Sequence, residues 1–201
     1  MKLEVASDVI CPWCYIGKRR LERALSLLKN ELSPRIRWLP FQLNPGMPKE
    51  GVPRAEYRRA KFGSLERSRE LDARVIAEGK REGIDFAFDR IQRTPNTREA
   101  HRLIALAEDQ NAVVDALFRA YFEDARDIGD PAVLADIAAQ CGVKGWSERA
   151  PDVSALEDEV RAMGISAVPT FIFDRKSGIS GAYPAETLAQ AIRDAAGEPV
   201  R

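Results

Sequence analysis

Two cysteines separated by two residues, Cys11 and Cys14, stand where a strand-like segment gives way to a helical pattern. Residues 3–10 at first alternate apolar and polar side chains, as a short strand does, and lead directly into the cysteine pair. Pro12 suits the first position of a helix, because its missing N–H costs nothing there and its fixed φ angle matches the helix. The sequence therefore predicts that the pair spans the first turn of a helix that follows a strand.

This placement gives the two thiols different roles in reversible disulfide chemistry. At a helix N-terminus, unpaired N–H groups and the positive end of the helix dipole stabilise a thiolate, so we expect Cys11 to be an exposed nucleophile. Cys14 lies one turn further in, and we expect it to be the more covered, resolving thiol that attacks a mixed disulfide. Both cysteines are therefore predicted to be catalytic. Trp13 is expected to be exposed and, with Pro12, to contact substrate.

The pattern beyond the cysteines predicts a βαβ unit. Apolar side chains recur at spacings of three and four over residues 12–32, which favours one amphipathic helix. Residues 36–43 return to a strand-like composition, although Pro40 restricts that strand to an edge or a break. Three basic residues are expected to form a solvated face of the helix: Lys18, Arg19 and Arg20.

The rest of the chain divides at a boundary rich in proline and glycine, residues 44–56. Periodicity alone predicts about five helices between Arg54 and Met163. Residues 170–174 are β-branched and aromatic, as in a buried strand, and a last helix is predicted over residues 184–196. The order of these elements indicates an α/β fold with a helical region inserted into it.

A second motif, Val168-Pro169, lies far along the chain, just before the predicted buried strand. A thioredoxin-type fold brings a cis-proline loop against the CxxC motif, so we expect the bond before Pro169 to be cis. Such a bond exposes the backbone of Val168 for strand-like pairing with a substrate segment. The alternative is an ordinary trans proline at the start of an edge strand.

Seven segments spread over nearly the whole chain resemble one known family. They are residues 8–18 (DVICPWCYIGK), 41–45 (FQLNP), 96–97 (NT), 100–103 (AHRL), 120–122 (AYF), 168–171 (VPTF) and 179–182 (ISGA). In these segments the chain is similar to the DsbA-family thiol-disulfide oxidoreductases of the FrnE type. The resemblance implies disulfide oxidoreductase or isomerase activity, with Cys11 and Cys14 as the redox pair and Pro169 as the cis-proline.

The same resemblance implies a thioredoxin-like α/β fold with an inserted all-helical domain, as in DsbA. We therefore expect a thioredoxin-like domain made of residues 1–45 and 150–201, interrupted by a helical insertion domain of residues 46–149. The proline- and glycine-rich boundary in the sequence agrees with the first of these divisions.

Two alternative functions remain open at this point. Kappa-class glutathione transferases and 2-hydroxychromene-2-carboxylate isomerases belong to the same superfamily and resemble this chain in the strand-helix start and the Val-Pro loop. They usually carry serine at the position of Cys11, where this sequence departs from them. Disulfide exchange needs Cys14 and a glutathione-dependent transferase or isomerase does not. The second alternative is a non-enzymatic, chaperone-like module whose helical insertion binds a polypeptide.

Three polar side chains are candidates for a substrate groove: Asn44, Asn96 and His101. His101 is the only histidine, but a thiolate at a helix N-terminus needs no base, so we expect it to be structural or to line the groove. Cys141 follows apolar residues at helical spacing and precedes a glycine. We expect it to be a buried small side chain at a helix end.

Charge and composition limit the partners. The 31 basic residues balance 31 acidic ones, so no overall charge attracts nucleic acid or an anionic membrane. No stretch approaches the roughly 18 apolar residues that cross a bilayer. Residues 1–8 lack the apolar region of a signal peptide, so a cytoplasmic location is expected.

Three cysteines are too few for a disulfide framework, and a single histidine far from Cys141 does not supply the paired ligands of a zinc site. We expect no metal and no tightly bound organic cofactor, only the redox-active disulfide between Cys11 and Cys14, with glutathione as a candidate co-substrate. The expected partners are protein or small-molecule thiols and disulfides. The sequence leaves the oligomeric state open.

Overall fold

The chain folds around a four-stranded sheet in a computed structural model that describes residues 1–197. Residues 198–201, the end of the predicted thioredoxin-like domain, lie outside the described residues. The strands are β1 (Lys2–Ser7), β2 (Arg35–Pro40), β3 (Val52–Pro53), β4 (Arg93–Thr94), β5 (Thr170–Phe173) and β6 (Ser177–Ser180). The helices are α1 (Pro12–Leu28), α2 (Arg54–Phe62), α3 (Leu65–Arg81), α4 (Arg98–Leu106), α5 (Gln110–Phe122), α6 (Pro131–Gln140), α7 (Trp146–Arg149), α8 (Ser154–Ala162) and α9 (Ala185–Gly197).

The main sheet has the strand order β2-β1-β5-β6. β1 pairs with β2 in parallel and with β5 in antiparallel orientation, and β6 continues the sheet antiparallel to β5. β1, α1 and β2 form the predicted βαβ unit, although α1 ends at Leu28, before the predicted residue 32. β2 lies at an edge of the sheet and ends at Pro40, which is where a residue without an N–H is tolerated.

Alternate residues of the central strands face two separate cores, as strand geometry requires. Leu3, Val5 and Phe171 face the larger core, which also contains the buried faces of α1 and α9. Ala6 and Ile172 face the opposite side of the sheet, where α8 covers them. Because α1 is held by this sheet and by α9, its first turn has a fixed position above the ends of β1 and β5.

The region between β2 and β5 contains more elements than the sequence predicts. Seven helices, α2 to α8, lie between Arg54 and Met163 in the described residues, where periodicity predicts about five. The predicted all-helical insertion also contains a small antiparallel ribbon of β3 and β4. The ribbon strands have two residues each and α7 has four, so they are too short to produce a periodic pattern. The domain boundaries near residues 45 and 150 stay a prediction.

An aromatic cluster ties α1 to the inserted helices. Tyr15 follows Cys14 directly and is fully buried, and its ring stacks on Phe118 of α5 with the ring centroids 4.9 Å apart. Phe122, one turn further along α5, stacks at 6.2 Å from the same tyrosine ring. The cysteine-bearing turn is therefore packed against the helical region as well as against the sheet.

The basic residues of α1 do not form the solvated face that the sequence predicts. Lys18 is 3% exposed, and its ammonium donates to Asp115 of α5 at 2.9 Å. The Arg20 guanidinium is also buried and donates to Glu82, next to α3, at 2.8 Å. The prediction was wrong because Asp115 and Glu82 come from segments distant in the sequence, which a local charge pattern does not reveal, although Lys18 also pairs with Glu22 one turn along α1.

Candidate active site

The first turn of α1 has the geometry that the CxxC spacing predicts. Cys11 is the N-cap residue with an extended backbone (φ −92°, ψ 112°), and Pro12 is the first helical residue. The backbone N–H groups of Cys14 and Tyr15 donate to the carbonyl oxygen of Cys11 at 3.0 and 3.3 Å. The two cysteines thus lie at the two ends of the first turn of α1.

Cys11 is buried, which corrects the expectation of an exposed thiol. Only 6% of the residue is exposed, because the loop before β5 covers it. Its thiol donates a hydrogen bond to the carbonyl oxygen of Val168, with Sγ and O 3.8 Å apart. Cys11 also lines a cavity, which lies on the side of the residue that the loop leaves open.

Cys14 lies behind Cys11 and is 1% exposed. Burial raises the pKa of the Cys14 thiol well above its ordinary value, and hydrogen bonding to Cys11 acts in the same direction. Cys14 does not line the cavity. The Cys14 thiol is therefore buried and protonated, and the Cys11 thiol lies beside it. The structure shows Cys11, Cys14 and Cys141 as free thiols.

The loop that covers Cys11 is held against α1 by close packing. The peptide bond between Val168 and Pro169 is cis. The hydroxyl of Thr170 donates to the carbonyl oxygen of Ala167 at 2.7 Å, which closes the loop on itself. The proline ring lies so close to Gly17 that a Cβ on this glycine would be 2.9 Å from Cγ of Pro169. The Val168 carbonyl consequently has a fixed position beside Cys11.

The cavity beside Cys11 has a volume of about 350 Å³ and lies between the start of α1 and helices α2 and α3. Pro12 and Trp13 form part of its wall, and Trp13 is 39% exposed at its edge. Seven of the other lining side chains are apolar: Ile10, Leu43, Phe62, Leu71, Val75, Phe88 and Phe122. Pro12 and Trp13 thus lie in the wall of the cavity that Cys11 borders.

Charged side chains in the cavity wall are functional candidates that the sequence analysis missed. Arg54, Arg58 and Lys61 recur at spacings of four and three on α2, which places them on one face of that helix. Asp72 of α3 accepts hydrogen bonds from both arginines, at 3.2 Å from Arg54. Burial raises the pKa of Asp72, against the effect of the arginines. Burial also lowers the pKa of Arg58, and the neighbouring charge of Arg54 adds to that effect against the pull of Asp72.

The three groove candidates lie outside this wall. Asn44 is adjacent to the cavity, since its Oδ1 accepts a hydrogen bond at 3.1 Å from Tyr57, which lines it. Asn96 lines a separate, larger cleft, and its amide donates to the Met47 carbonyl oxygen at 2.6 Å. His101 is 3% exposed, with Nε2 3.4 Å from Oδ1 of the buried Asp8. Asn96 and His101 therefore do not line the cavity beside Cys11, and their role in a substrate groove stays a prediction.

Cys141 lies apart from the cavity, at the C-cap of α6, and is partly buried. Burial raises the pKa of its thiol, and the charges of Asp109 and Asp115 add to that shift. Within residues 1–197 no cluster of three histidine, cysteine or acidic side chains is arranged to hold a metal ion. None of the described helices combines the length and apolar character that membrane crossing requires.

Comparison with known proteins finds relatives over almost the full chain. The family model of the DSBA-like thioredoxin domain matches residues 2–193. The uncharacterized protein YwbO of Bacillus subtilis is 27% identical over 204 residues, covering 96% of each chain. A crystal structure of a Streptomyces coelicolor protein, described as a probable DsbA oxidoreductase, is 33% identical with a TM-score of 0.89, covering 100% of this chain and 92% of that one.

A more distant structural neighbour was solved with glutathione. It is the cytosolic disulfide reductase DsbM of Pseudomonas aeruginosa, which is 18% identical with a TM-score of 0.62. The match covers 97% of this chain and 95% of the DsbM chain. The likeness shows a common fold, in agreement with the predicted α/β thioredoxin-like architecture with a helical insertion.

Proposed function

This chain belongs to the family of DSBA-like thioredoxin domains, and from that membership we propose that it is a thiol-disulfide oxidoreductase in which Cys11 and Cys14 exchange disulfides with substrate. One observation carries the proposal: Cys11 borders a cavity, whereas Cys14 is buried next to it and does not line that cavity. A substrate sulfur therefore meets Cys11 first, and Cys14 acts afterwards from within the protein.

In the reducing direction, the thiolate of Cys11 attacks one sulfur of a substrate disulfide. The substrate S–S bond breaks, and the other substrate sulfur leaves as a thiolate that takes up a proton. Cys14 then loses its proton and attacks Sγ of Cys11, so that the second substrate sulfur leaves and is protonated. The substrate gains two electrons and two protons, and the enzyme ends with a Cys11–Cys14 disulfide. The reverse sequence oxidises a substrate dithiol.

Val168 and Trp13 are the proposed docking groups. The carbonyl of Val168 is next to Cys11, where the backbone of an extended substrate segment pairs with it in a strand-like manner. The exposed ring of Trp13, which lines the cavity, offers an apolar contact to the substrate. Pro169 positions the first of these groups through its packing on Gly17.

Glutathione is the proposed small thiol that returns the enzyme to its reduced form. The support is the cavity at Cys11 and the glutathione in the structure of the neighbour DsbM. A glutathione-dependent transferase or isomerase is the second candidate, favoured by the same cavity. The presence of a resolving thiol, Cys14, favours disulfide exchange over transfer. A cytoplasmic location stays a prediction from the sequence.

The test is an insulin-reduction assay together with the reactivation of scrambled ribonuclease, using the wild type, Cys11→Ser and Cys141→Ser. We expect Cys11→Ser to lose catalysis to the uncatalysed background, because a hydroxyl does not replace a thiolate in disulfide exchange. The matched control Cys141→Ser should keep wild-type activity. Activity in Cys11→Ser above half of the wild-type value would rule out the proposed function, and a double Cys11→Ser, Cys14→Ser variant that still prevents aggregation would favour the chaperone-like alternative.

A further inference from the structure

The cavity beside Cys11 has features that general disulfide exchange does not require. We infer that it binds a small, largely apolar organic acid that carries the reacting sulfur, so that aryl or alkyl disulfides bearing a carboxylate are a substrate class of this protein. The inference rests on the proposed function, because Cys11 must be able to exchange disulfides. It adds the chemical identity of the group that lies in the cavity while exchange takes place.

Size and wall composition favour a compact apolar group. The volume of about 350 Å³ falls in the range of small-molecule sites, roughly 300 to 1,000 Å³. Side chains from α2, α3 and α5 close it opposite Cys11, including Phe62, Val75 and Phe122. An aromatic or branched aliphatic body removes these apolar side chains from water and brings no polar group that they would leave unpaired.

The charges of the wall favour an anion. Four basic side chains and one acidic side chain line the cavity, and the acid, Asp72, is already bound to Arg54 and Arg58. The two arginines are held in place by aromatic rings, with the guanidinium of Arg58 4.3 Å from the centroid of Phe62. Cations fixed in poorly hydrated surroundings attract a carboxylate without further ordering. The other two basic side chains of the lining, Lys61 and Arg74, are exposed at the rim of the cavity.

A buried hydroxyl provides an independent indication of a ligand. Thr94 lines the cavity and is 2% exposed, and its Oγ1 has no hydrogen-bond partner within residues 1–197. A buried polar atom without a partner costs free energy, so few persist unless something satisfies them. An oxygen atom of the bound acid is the matching group, since it accepts a hydrogen bond from this hydroxyl.

Matched disulfide pairs test the inference. The probes are 4,4′-dithiodibenzoate and its neutral diamide, which have the same rings and a similar thiol leaving group. We measure the second-order rate constant for each with the reduced enzyme, relative to its rate with free glutathione. The wild type should prefer the acid, and Arg54→Gln, Lys61→Gln should lower the rate for the acid about tenfold while changing that for the diamide less than about twofold.

The control for net charge is Lys29→Gln, Arg35→Gln, which removes two exposed cations distant from the cavity. This control should keep the preference for the acid. An equal rate for acid and amide in the wild type, or an unchanged preference in Arg54→Gln, Lys61→Gln, would overturn the inference while leaving the proposed function intact. If neither disulfide reacts with Cys11 faster than with glutathione, the inference is overturned, and insulin reduction by the same preparation decides separately whether the proposed function holds.

A binding measurement keeps the test independent of turnover and of the salt bridge to Asp72. Isothermal titration with 4-(methylthio)benzoate, which has no exchangeable sulfur, is carried out on the wild type and on Thr94→Val. We expect Thr94→Val to bind this acid several times more weakly, although the variant is at least as stable as the wild type because an unpaired buried hydroxyl is gone. Equal affinity in the two proteins would exclude Thr94 from the site. No binding of the acid to the wild type would overturn the inference.

Discussion

Cys11 and Cys14 are one helical turn apart, and their surroundings differ more than their exposure does. Both residues are nearly inaccessible, at 6% and 1% exposed. Cys11 nevertheless borders the cavity and the carbonyl of Val168, whereas Cys14 is enclosed by protein. The comparison teaches that two thiols of nearly equal exposed fraction can differ in what each sulfur borders, and the proposed order of reaction rests on that difference.

The largest effect on turnover is expected when the Cys14 thiol is removed. In Cys14→Ser the mixed disulfide on Cys11 is released only by an external thiol, so the advantage of intramolecular attack is lost. We expect turnover to fall on the order of 100-fold or more in millimolar thiol, and mixed disulfides on Cys11 to accumulate. Non-reducing electrophoresis and mass spectrometry detect the adduct, with Cys141→Ser as the control. Turnover within a factor of two of the wild type would show that the two thiols do not act in sequence.

The second effect concerns the pH dependence of stability. Burial raises the pKa of Cys14 above its ordinary 9.0, so the folded protein keeps that proton to higher pH than the unfolded chain does. The stability from Cys14 is therefore fully present below the unfolded pKa and is lost as the pH rises toward the folded pKa. We expect the reduced protein to lose at most about 1.4 kcal/mol per pH unit from this thiol above roughly pH 9.

Urea unfolding at a series of pH values under reducing conditions measures this slope. Cys14→Ala should flatten it, and Cys141→Ala should flatten it less, because Cys141 is only partly buried. Identical slopes in the wild type and Cys14→Ala would mean that Cys14 is not the desolvated thiol of the pair.

A loss of turnover smaller than that in Cys14→Ser is expected from a change beside Cys11 alone. In Gly17→Ala the new methyl group would lie 2.9 Å from Cγ of Pro169, so the loop must move away from α1 and take the Val168 carbonyl with it. We expect a loss of stability of about 1 to 2 kcal/mol after the better helix propensity of alanine is counted. Turnover of protein disulfides should fall about tenfold or less.

Gly197→Ala is the matched control, since a Cβ at that helical glycine meets no atom within 4 Å. Alkylation of the two thiols, mapped by mass spectrometry, distinguishes an effect on Cys11 from an effect on Cys14. In Gly17→Ala the alkylation rate of Cys11 should change and that of Cys14 should not. A changed alkylation rate at Cys14 alone would contradict the assignment of the loop to Cys11.

Much of the site was predictable because its determinants are local. The spacing of Cys11 and Cys14, the position of Pro12 and the preceding strand fix the helix start, and the structure agrees with each of them. The fold class followed in the same way, from the βαβ pattern and the family resemblance. Local patterns predicted these features because neighbouring residues in the sequence generate them.

The parts that were missed depend on contacts between distant segments. Cys11 was expected to be exposed, and it is covered by Val168, which lies 157 residues away. Lys18 was expected to be solvated, and its partner Asp115 comes from α5. The cationic wall required knowing that α2 packs beside α1, although the spacing of Arg54, Arg58 and Lys61 on one helix face was a usable signal. A sequence pattern shows which side chains share one face of a helix or strand, but it does not show which other segment packs against that face.

The distance of 157 residues between Cys11 and Val168 also has a consequence for protein synthesis. At about 5 to 20 residues per second, the ribosome finishes β5 roughly 8 to 30 s after it has added the cysteine pair. During that interval β1 can pair with β2 but has an open edge where β5 belongs, and Cys11 has no loop above it. The growing chain therefore carries Cys11 and Cys14 well before it carries the loop that covers Cys11.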